Sequence, residues 1–410
     1  MLNSANGLTN QSTGGGAITL AGGTTSSGGL PTGYAFSSRS TAWGSVQPSG
    51  VQLGAWTWSA NSTTYANDIK MYSGGGNVTI NGKSSNGAPG ISWYGGASGT
   101  QVINAGAGTI TLDGRSTNGH GIELFYFGGY TSPTLQSSSN ASTAISITGV
   151  TTITTAGAGY QGTVSLIATG TGGIDISGTS STTNYFGLTI GNLKAYAASG
   201  AINITGVSGN ASYGVNFYGA LGNGGGITGS TSNITITGNA VNFAGATAIS
   251  TAGTVVIQPS GNDFTAVHTL QNLTFSGNET GLTVGKSATG ADGTSDVGTV
   301  ITSSISIAGP IAIYSDDMWV NNFLRTAASN GHILLKSSGF VWLNSSDSDV
   351  TTQGANVTLW SNTTNKTASA DNNEVGLRDG VNITTNGGRI VLAGGLDTNN
   401  DGIPDGYAFR

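Results

Sequence analysis

Between Gly76 and Gly129 the chain repeats itself, and that repetition limits the folds open to it more than any other feature. The first copy, GNVTINGKSSNGAPGISWYGG, runs from Gly76 to Gly96, and the second, GTITLDGRSTNGHGIELFYFGG, from Gly108 to Gly129. A looser copy, GAINITGVSGNASYGVNFYG, spans Gly200 to Gly219. Each unit reads as an alternating strand, a turn of Gly, Ser and Asn, and a second strand carrying aromatics. Val78 and Ile80 correspond to Ile110 and Leu112, and again to Ile202 and Ile204, with small polar residues between them. That period of two is the mark of a strand with one buried face. Gly82-Lys83-Ser84-Ser85-Asn86-Gly87 recurs as Gly114-Arg115-Ser116-Thr117-Asn118-Gly119 and reads as the turn, since Asn-Gly accepts left-handed backbone at low cost. A unit of about thirty residues cannot bury its own apolar face, so units of this kind must stack on one another.

The rest of the chain supports stacked strands over ordinary domains. Of 410 residues 70 are Gly, only 7% are charged and none is Cys, so the polarity belongs to strand exteriors and turns. The 36% apolar share recurs in regular alternation, which disordered Gly/Ser chains lack. Helix is opposed throughout by Gly and β-branched residues. The formal net charge of −6 disfavours nucleic acid and anionic membrane surfaces as partners, and no apolar run reaches membrane-spanning length. Absent cysteine is compatible with export. The opening Met1-Leu2-Asn3-Ser4 supplies neither the basic region nor the apolar core of a signal peptide, so we expect a segment of a longer polypeptide.

The two ends match as well. GGGAITLAGG (Gly14 to Gly23) is followed by GGLPTGYAF (Gly28 to Phe36), and GGRIVLAGG (Gly387 to Gly395) by DGIPDGYAFR (Asp401 to Arg410). Leu-Ala-Gly-Gly, then Pro, then Gly-Tyr-Ala-Phe is too specific to arise twice from composition. The copies imply a super-repeat of the whole block, with partners that are neighbouring repeats of one polypeptide or identical subunits end to end. Between the ends, strands closed by glycine succeed one another without helices: AISITG, GTVSLIATG, GIDISG and NITITGNAVNFAG up to Gly261. Beyond Gly261 acidic residues multiply, only Asp68, Asp113, Glu123 and Asp175 preceding it. Residues 262–410 are therefore read as a continuation of 1–261 with more decorated loops, all of 1–410 forming one continuous solenoid.

LTFSGNETGLTVGK (Leu273 to Lys286), VGTVITSSISIAGPIAIYS (Val297 to Ser315), HILLKSSG (His332 to Gly339) and ITTNGGRIVLAGG (Ile383 to Gly395) resemble the repeats of large bacterial surface proteins. These are the filamentous-haemagglutinin-like, β-strand-repeat adhesins. The resemblance implies export to the cell surface and an adhesive or structural role. It also implies an all-β, right-handed parallel β-helix, an elongated single rod, whose hand agrees with the crossover preference of parallel strands.

Candidate sites are few. Asp397-Thr398-Asn399-Asn400-Asp401-Gly402-Ile403-Pro404-Asp405-Gly406 has the alternating oxygen side chains of a calcium loop, with Asp397, Asn399, Asp401 and Asp405 as ligands. A solvated turn uses the same residue types. The N-terminal counterpart has Thr25, Ser27 and Thr32 at those places, is one residue shorter, and is expected not to bind. Trp56, Trp58, Trp93, Tyr94, Phe125, Tyr126, Phe127, Phe217 and Tyr218 could stack on surface glycans. We expect them instead to stack on each other, one of each adjacent pair pointing inward. His120, His268 and His332 lack partners at metal-ligand spacing. Asp316 and Asp317, neighbours that face opposite ways on a strand, read as a solvated loop and not an acid–base dyad. A non-enzymatic surface or filament segment is the reading these residues favour. A polysaccharide-binding or polysaccharide-degrading β-helix is the alternative, and an ice-binding Thr array a weaker third.

Overall fold

The inward ladder predicted from the duplicated units is the organising feature of the computed structural model. It describes residues 2–3, 15–27, 30–37, 49–54, 68–85, 87–94, 100–125, 133–151, 160–181, 186–209, 213–218, 226–286, 297–363, 373–398 and 403–407. Those residues are all-β, with no helix among them. The chain divides into two compact units, Met1–Ser232 and Asn233–Arg410, so the rise in acidity after Gly261 falls inside the second.

In the first unit, the strands Ile18–Leu20, Val78–Ser84, Ile110–Ser116, Thr143–Thr151, Gly173–Ser180 and Ile202–Ser208 pair in that order, all parallel. Val78 lies opposite Ile110, Ile110 opposite Ile145, then Ile174, then Ile202. The related positions expected at Val78, Ile110 and Ile202 are thus rungs of one ladder, each fully buried. A second ladder starts from Val51–Leu53, Ile91–Tyr94 and Ile122–Phe125, and a third from Leu2–Asn3, Ile69–Tyr72, Gln101–Asn104 and Thr134–Ser137. Each turn of chain visits the three ladders in sequence before returning to the first, which makes a parallel β-solenoid. Trp93 pairs with Leu124 and Tyr94 with Phe125, as the aligned copies require.

One expectation fails within the repeat. Gly82-Lys83-Ser84 and Gly114-Arg115-Ser116, taken as the start of a turn, are the last residues of the first-ladder strands. Alternation simply continues inward through Gly and Ser. The glycine is required because the next segment crosses close behind it: a Cβ on Gly82 would lie 2.1 Å from the Gly90 carbonyl oxygen, and one on Gly114 2.2 Å from that of Gly121. Gly178 and Gly206 meet Gly187 and Gly214 in the same way. Beyond this waist, the buried Ser and Thr hydroxyls tie the turns of adjacent coils, Ser116 donating to the Ala88 carbonyl (2.7 Å) and Thr151 to that of Gly119 (2.8 Å).

The second unit repeats the scheme. Ile234–Gly238, Thr254–Gln258, Gly281–Val284, Ile311–Ser315, Ile333–Ser337, Val357–Ser361 and Ile390–Gly394 form its first ladder. Val241–Phe243, His268–Leu270, Thr299–Ile301, Met318–Val320, Val341–Leu343 and Val375–Leu377 form the second. Ile305–Ile307, Leu324–Thr326, Val350–Thr351 and Ile383–Thr384 belong to the third. Each fully buried Ile or Leu contributes about 2 kcal/mol, against about 1 kcal/mol or less for an exposed hydrogen bond. Aliphatic ladders therefore drive the stacking and polar contacts set its register.

Candidate functional site

Outward polar side chains are mostly engaged with the coil above or below. Asp175 accepts from Thr143 (2.6 Å) and Asn203 (2.7 Å), and Asn140, Asn233 and Asn356 accept backbone N–H groups of Thr171, Thr254 and Arg389. Acidic residues of the second unit bond within a turn or from coil to coil. Glu279, fully buried, accepts from the Ser276 N–H and hydroxyl and from the Gly277 N–H, closing its own turn. Asp349 accepts from the Asn382 N–H at 2.8 Å. Asp316 is not in a solvated loop: it is only 4% exposed, accepts from the Ser338 hydroxyl, and its carbonyl takes the Gly339 N–H. Asp317 faces the other way and accepts from the Phe340 N–H at 3.3 Å. The pair clamps consecutive coils and presents no shared proton site.

The aromatics divide as expected where they are described. Trp93 is fully buried and donates to Gln101 Oε1 at 2.6 Å; Phe217 is fully buried while its neighbour Tyr218 is 49% exposed. Trp56, Trp58, Tyr126 and Phe127 lie outside the described residues, as do the side chains of Tyr94 and Phe125. The sequence reading missed a second aromatic group, Trp319, Phe340 and Trp342, on the outer face of the second unit. Trp319 pairs with Trp342 across the ladder, a spacing that MWV and VWL at aligned positions could have revealed. Phe340 meets Trp319 edge-on (80°) and Trp342 at 48°, so these rings interlock and do not make the coplanar platform a sugar would need. Beside Trp342 is a cleft of about 330 Å³, lined also by Asn344, Glu374, Gly376, Leu377 and Arg378. It lies where the second ladder reaches its last described strand, Val375–Leu377.

His268 is also buried. It sits in the inward row of the second ladder, stacked on Phe264 at 4.4 Å, with Phe243 edge-on at 6.2 Å. Its Nδ1 lies 3.0 Å from the Val241 carbonyl oxygen, which fixes the N–H there and leaves Nε2 in the core without a hydrogen bond. Burial pushes its pKa down to about 4, opposed by the bond to Val241. It is a neutral core residue. His332 is elsewhere, with Nδ1 accepting the Asn356 N–H.

The matched ends fold alike. In the first copy Gly22 pairs antiparallel with Gly33; in the second Gly394 pairs antiparallel with Gly406. Gly23 and Gly395 both take the left-handed backbone that the excursion from the coil needs, at φ 93° and 82°. Tyr34 then lies on the outer face of its unit, donating to Asp113 Oδ2 at 2.5 Å beneath the Arg115 guanidinium, which itself grips Asp113 through Nε and Nη2. Burial, followed by the hydrogen bond to Asp113, pushes the Tyr34 phenol up to about 12. Tyr407, its counterpart, is 86% exposed.

Of the candidate calcium ligands, Asn399 and Asp401 lie outside the described residues. Asp405 turns into its own loop, one oxygen accepting both the N–H and the hydroxyl of Thr398, while its N–H donates to the Leu396 carbonyl. Asp397 attracts the Lys336 ammonium, whose pKa is nonetheless lowered by burial; that ammonium rests 3.9 Å over the Trp360 ring. Trp360 in turn donates to the Gly395 carbonyl at the loop's neck. Among the described residues no three acidic, His or Cys side chains gather. Comparison with protein-family models, with curated proteins and with solved structures finds nothing that matches this chain.

Proposed function

We propose that the chain is a non-catalytic structural and adhesive stalk segment of a large secreted bacterial surface protein or filament, acting outside the cell. One observation carries the reading: among the described residues, carboxylates such as Asp175, Asp316 and Asp349 are spent on bonds from coil to coil. In-register strands with buried aliphatic rungs resist separation along many bonds at once, which suits a load-bearing element. The adhesive part rests on the resemblance of its repeats to those of surface adhesins.

Pulling single chains from the two ends by force spectroscopy tests the load-bearing role. The expected trace is a series of small rips, each releasing a coil of about twenty to thirty residues. Extension at negligible force would remove the structural reading. We also propose that calcium rigidifies the loop through Asp397, Asn399, Asp401 and Asp405. Calorimetric titration with calcium should give binding by the chain that Asp401→Ala abolishes, and no heat from the unaltered chain would dismiss the site.

A further inference from the structure

The residue just ahead of the first-ladder strands Val78–Ser84, Ile234–Gly238 and Val357–Ser361 is asparagine: Asn77, Asn233 and Asn356. Each opens an Asn-x-Thr triplet, closed by Thr79, Thr235 and Thr358. In each the side-chain Oδ1 accepts the backbone N–H of the equivalent residue one coil on, Thr109 at 3.0 Å, Thr254 at 3.1 Å and Arg389 at 2.9 Å. That bond fixes which way the amide faces. Its Nδ2 makes no hydrogen bond among the described residues, and Asn77 and Asn233 are exposed while Asn356 is half-buried. Asn140, of the triplet Asn140-Ala141-Ser142, is exposed and does the same from a turn, its Oδ1 taking the Thr171 N–H at 3.0 Å.

Other Asn-x-Ser/Thr triplets are held differently. Asn203 donates its Nδ2 to Asp175 at 2.7 Å, Asn272 to the Phe243 carbonyl at 2.9 Å, Asn344 to Asn321 at 3.2 Å and Asn382 to Asp349 at 3.2 Å. Those nitrogens tie one coil to another, and a substituent on them would displace the bond. A substituent on Nδ2 of Asn77 leaves its carbonyl oxygen in place, so the bond to Thr109 survives. Side chains alternate along a strand, so Asn77 and Thr79 stand on one face, as do Asn233 with Thr235 and Asn356 with Thr358. The amide and hydroxyl of an Asn-x-Ser/Thr acceptor are thus presented together on the outer face.

We propose that Asn77, Asn140, Asn233 and Asn356 are sites of N-linked glycosylation, and that Asn203, Asn272, Asn344 and Asn382 are not. The donor is a sugar carried on the diphosphate of a nucleotide or a lipid, and the catalyst is a transferase outside this chain. Nδ2 attacks the anomeric carbon of the sugar and a C–N bond forms. The bond from that carbon to the phosphate oxygen breaks, the diphosphate leaves with the electron pair, and one amide proton passes to a base of the transferase. No oxidant or reductant takes part. The attached sugars hydrate the corner ahead of the first ladder in a chain of which only 7% of the residues are charged.

The modification goes beyond the stalk reading, and its absence would leave the pulling experiment to decide that reading separately. The test is peptide mass spectrometry of the chain recovered from its native cells. Peptides holding Asn77, Asn140, Asn233 and Asn356 are expected to carry added sugar, and those holding Asn203, Asn272, Asn344 and Asn382 none. The added mass of a single sugar identifies a nucleotide donor, and that of a preassembled block a lipid donor. Thr79→Ala should lose the sugar at Asn77 alone and Thr79→Ser should keep it. Both variants should retain the far-ultraviolet circular dichroism of the unaltered chain, which separates loss of the acceptor from loss of the fold. Bare asparagine at all four sites overturns the proposal, as does sugar spread equally over both sets, or sugar at Asn77 that persists in Thr79→Ala.

Discussion

Gly114→Ala abolishes stable folding of the coils around it, because a single methyl there would occupy the space of a backbone atom. The added Cβ would sit 2.2 Å from the Gly121 carbonyl oxygen and 2.4 Å from Ile122 Cγ1. Neither wall can yield alone, since Gly114 is held in register by Gly82 and Gly149 on either side. Overpacking a flexible side chain costs about 1–3 kcal/mol, and backbone against backbone exceeds that range. The unfolding midpoint by far-ultraviolet circular dichroism should fall steeply or the transition vanish. Gly261→Ala, whose nearest neighbour would be the Asp263 carbonyl oxygen at 4.0 Å, should leave it within about 0.5 kcal/mol. Equal effects of the two substitutions would refute the waist.

The second large effect is a loss of stability in weak acid that a single substitution removes. His268 has a folded-state pKa lowered to about 4, below the ordinary value of 6.5. The unfolded chain therefore takes up a proton as pH falls through 6.5 while the folded chain refuses it until about 4. Stability from this residue is complete above the higher value, declines between the two, and is gone below the lower. The full difference is on the order of 3 kcal/mol. Denaturant midpoints at several pH values should show this decline in the unaltered chain, and His268→Leu should lack it. A parallel decline in the variant would show that His268 is not a neutral core residue.

Why some features were legible in the sequence and others were not has a physical basis. Ile, Val and Leu at alternate positions announce an inward row wherever they occur, so the rungs at Val78, Ile110 and Ile202 could be aligned before any coordinates. Inward Gly82 and Ser84 carried no hydrophobic signal, and small residues look the same at a buried waist as in an exposed turn. Asp316 was misleading for a related reason. A carboxylate is expected in water, yet in a stacked solenoid each turn offers N–H and hydroxyl donors that can satisfy it within the protein. His268 shows the same effect in the core, where two aromatic rings and one carbonyl suit a neutral imidazole. The matched termini were plain as sequence. That both fold as the same antiparallel excursion, with Tyr34 docked and Tyr407 exposed, depends on strands far away in the chain.

Distances along one outward row test the stacked-coil fold most directly. Thr235, Val256, Thr283, Ala312, Leu334, Thr358 and Val391 pair successively in the second unit. Spin labels on Thr235 and one other residue of this row, read by pulsed electron resonance, should separate in proportion to coil number, by about 4.8 Å a step. Four steps to Leu334 give about 19 Å and six steps to Val391 about 29 Å. Distances that fail to grow from Leu334 to Val391, as antiparallel strands folded face to face would give, would contradict the solenoid.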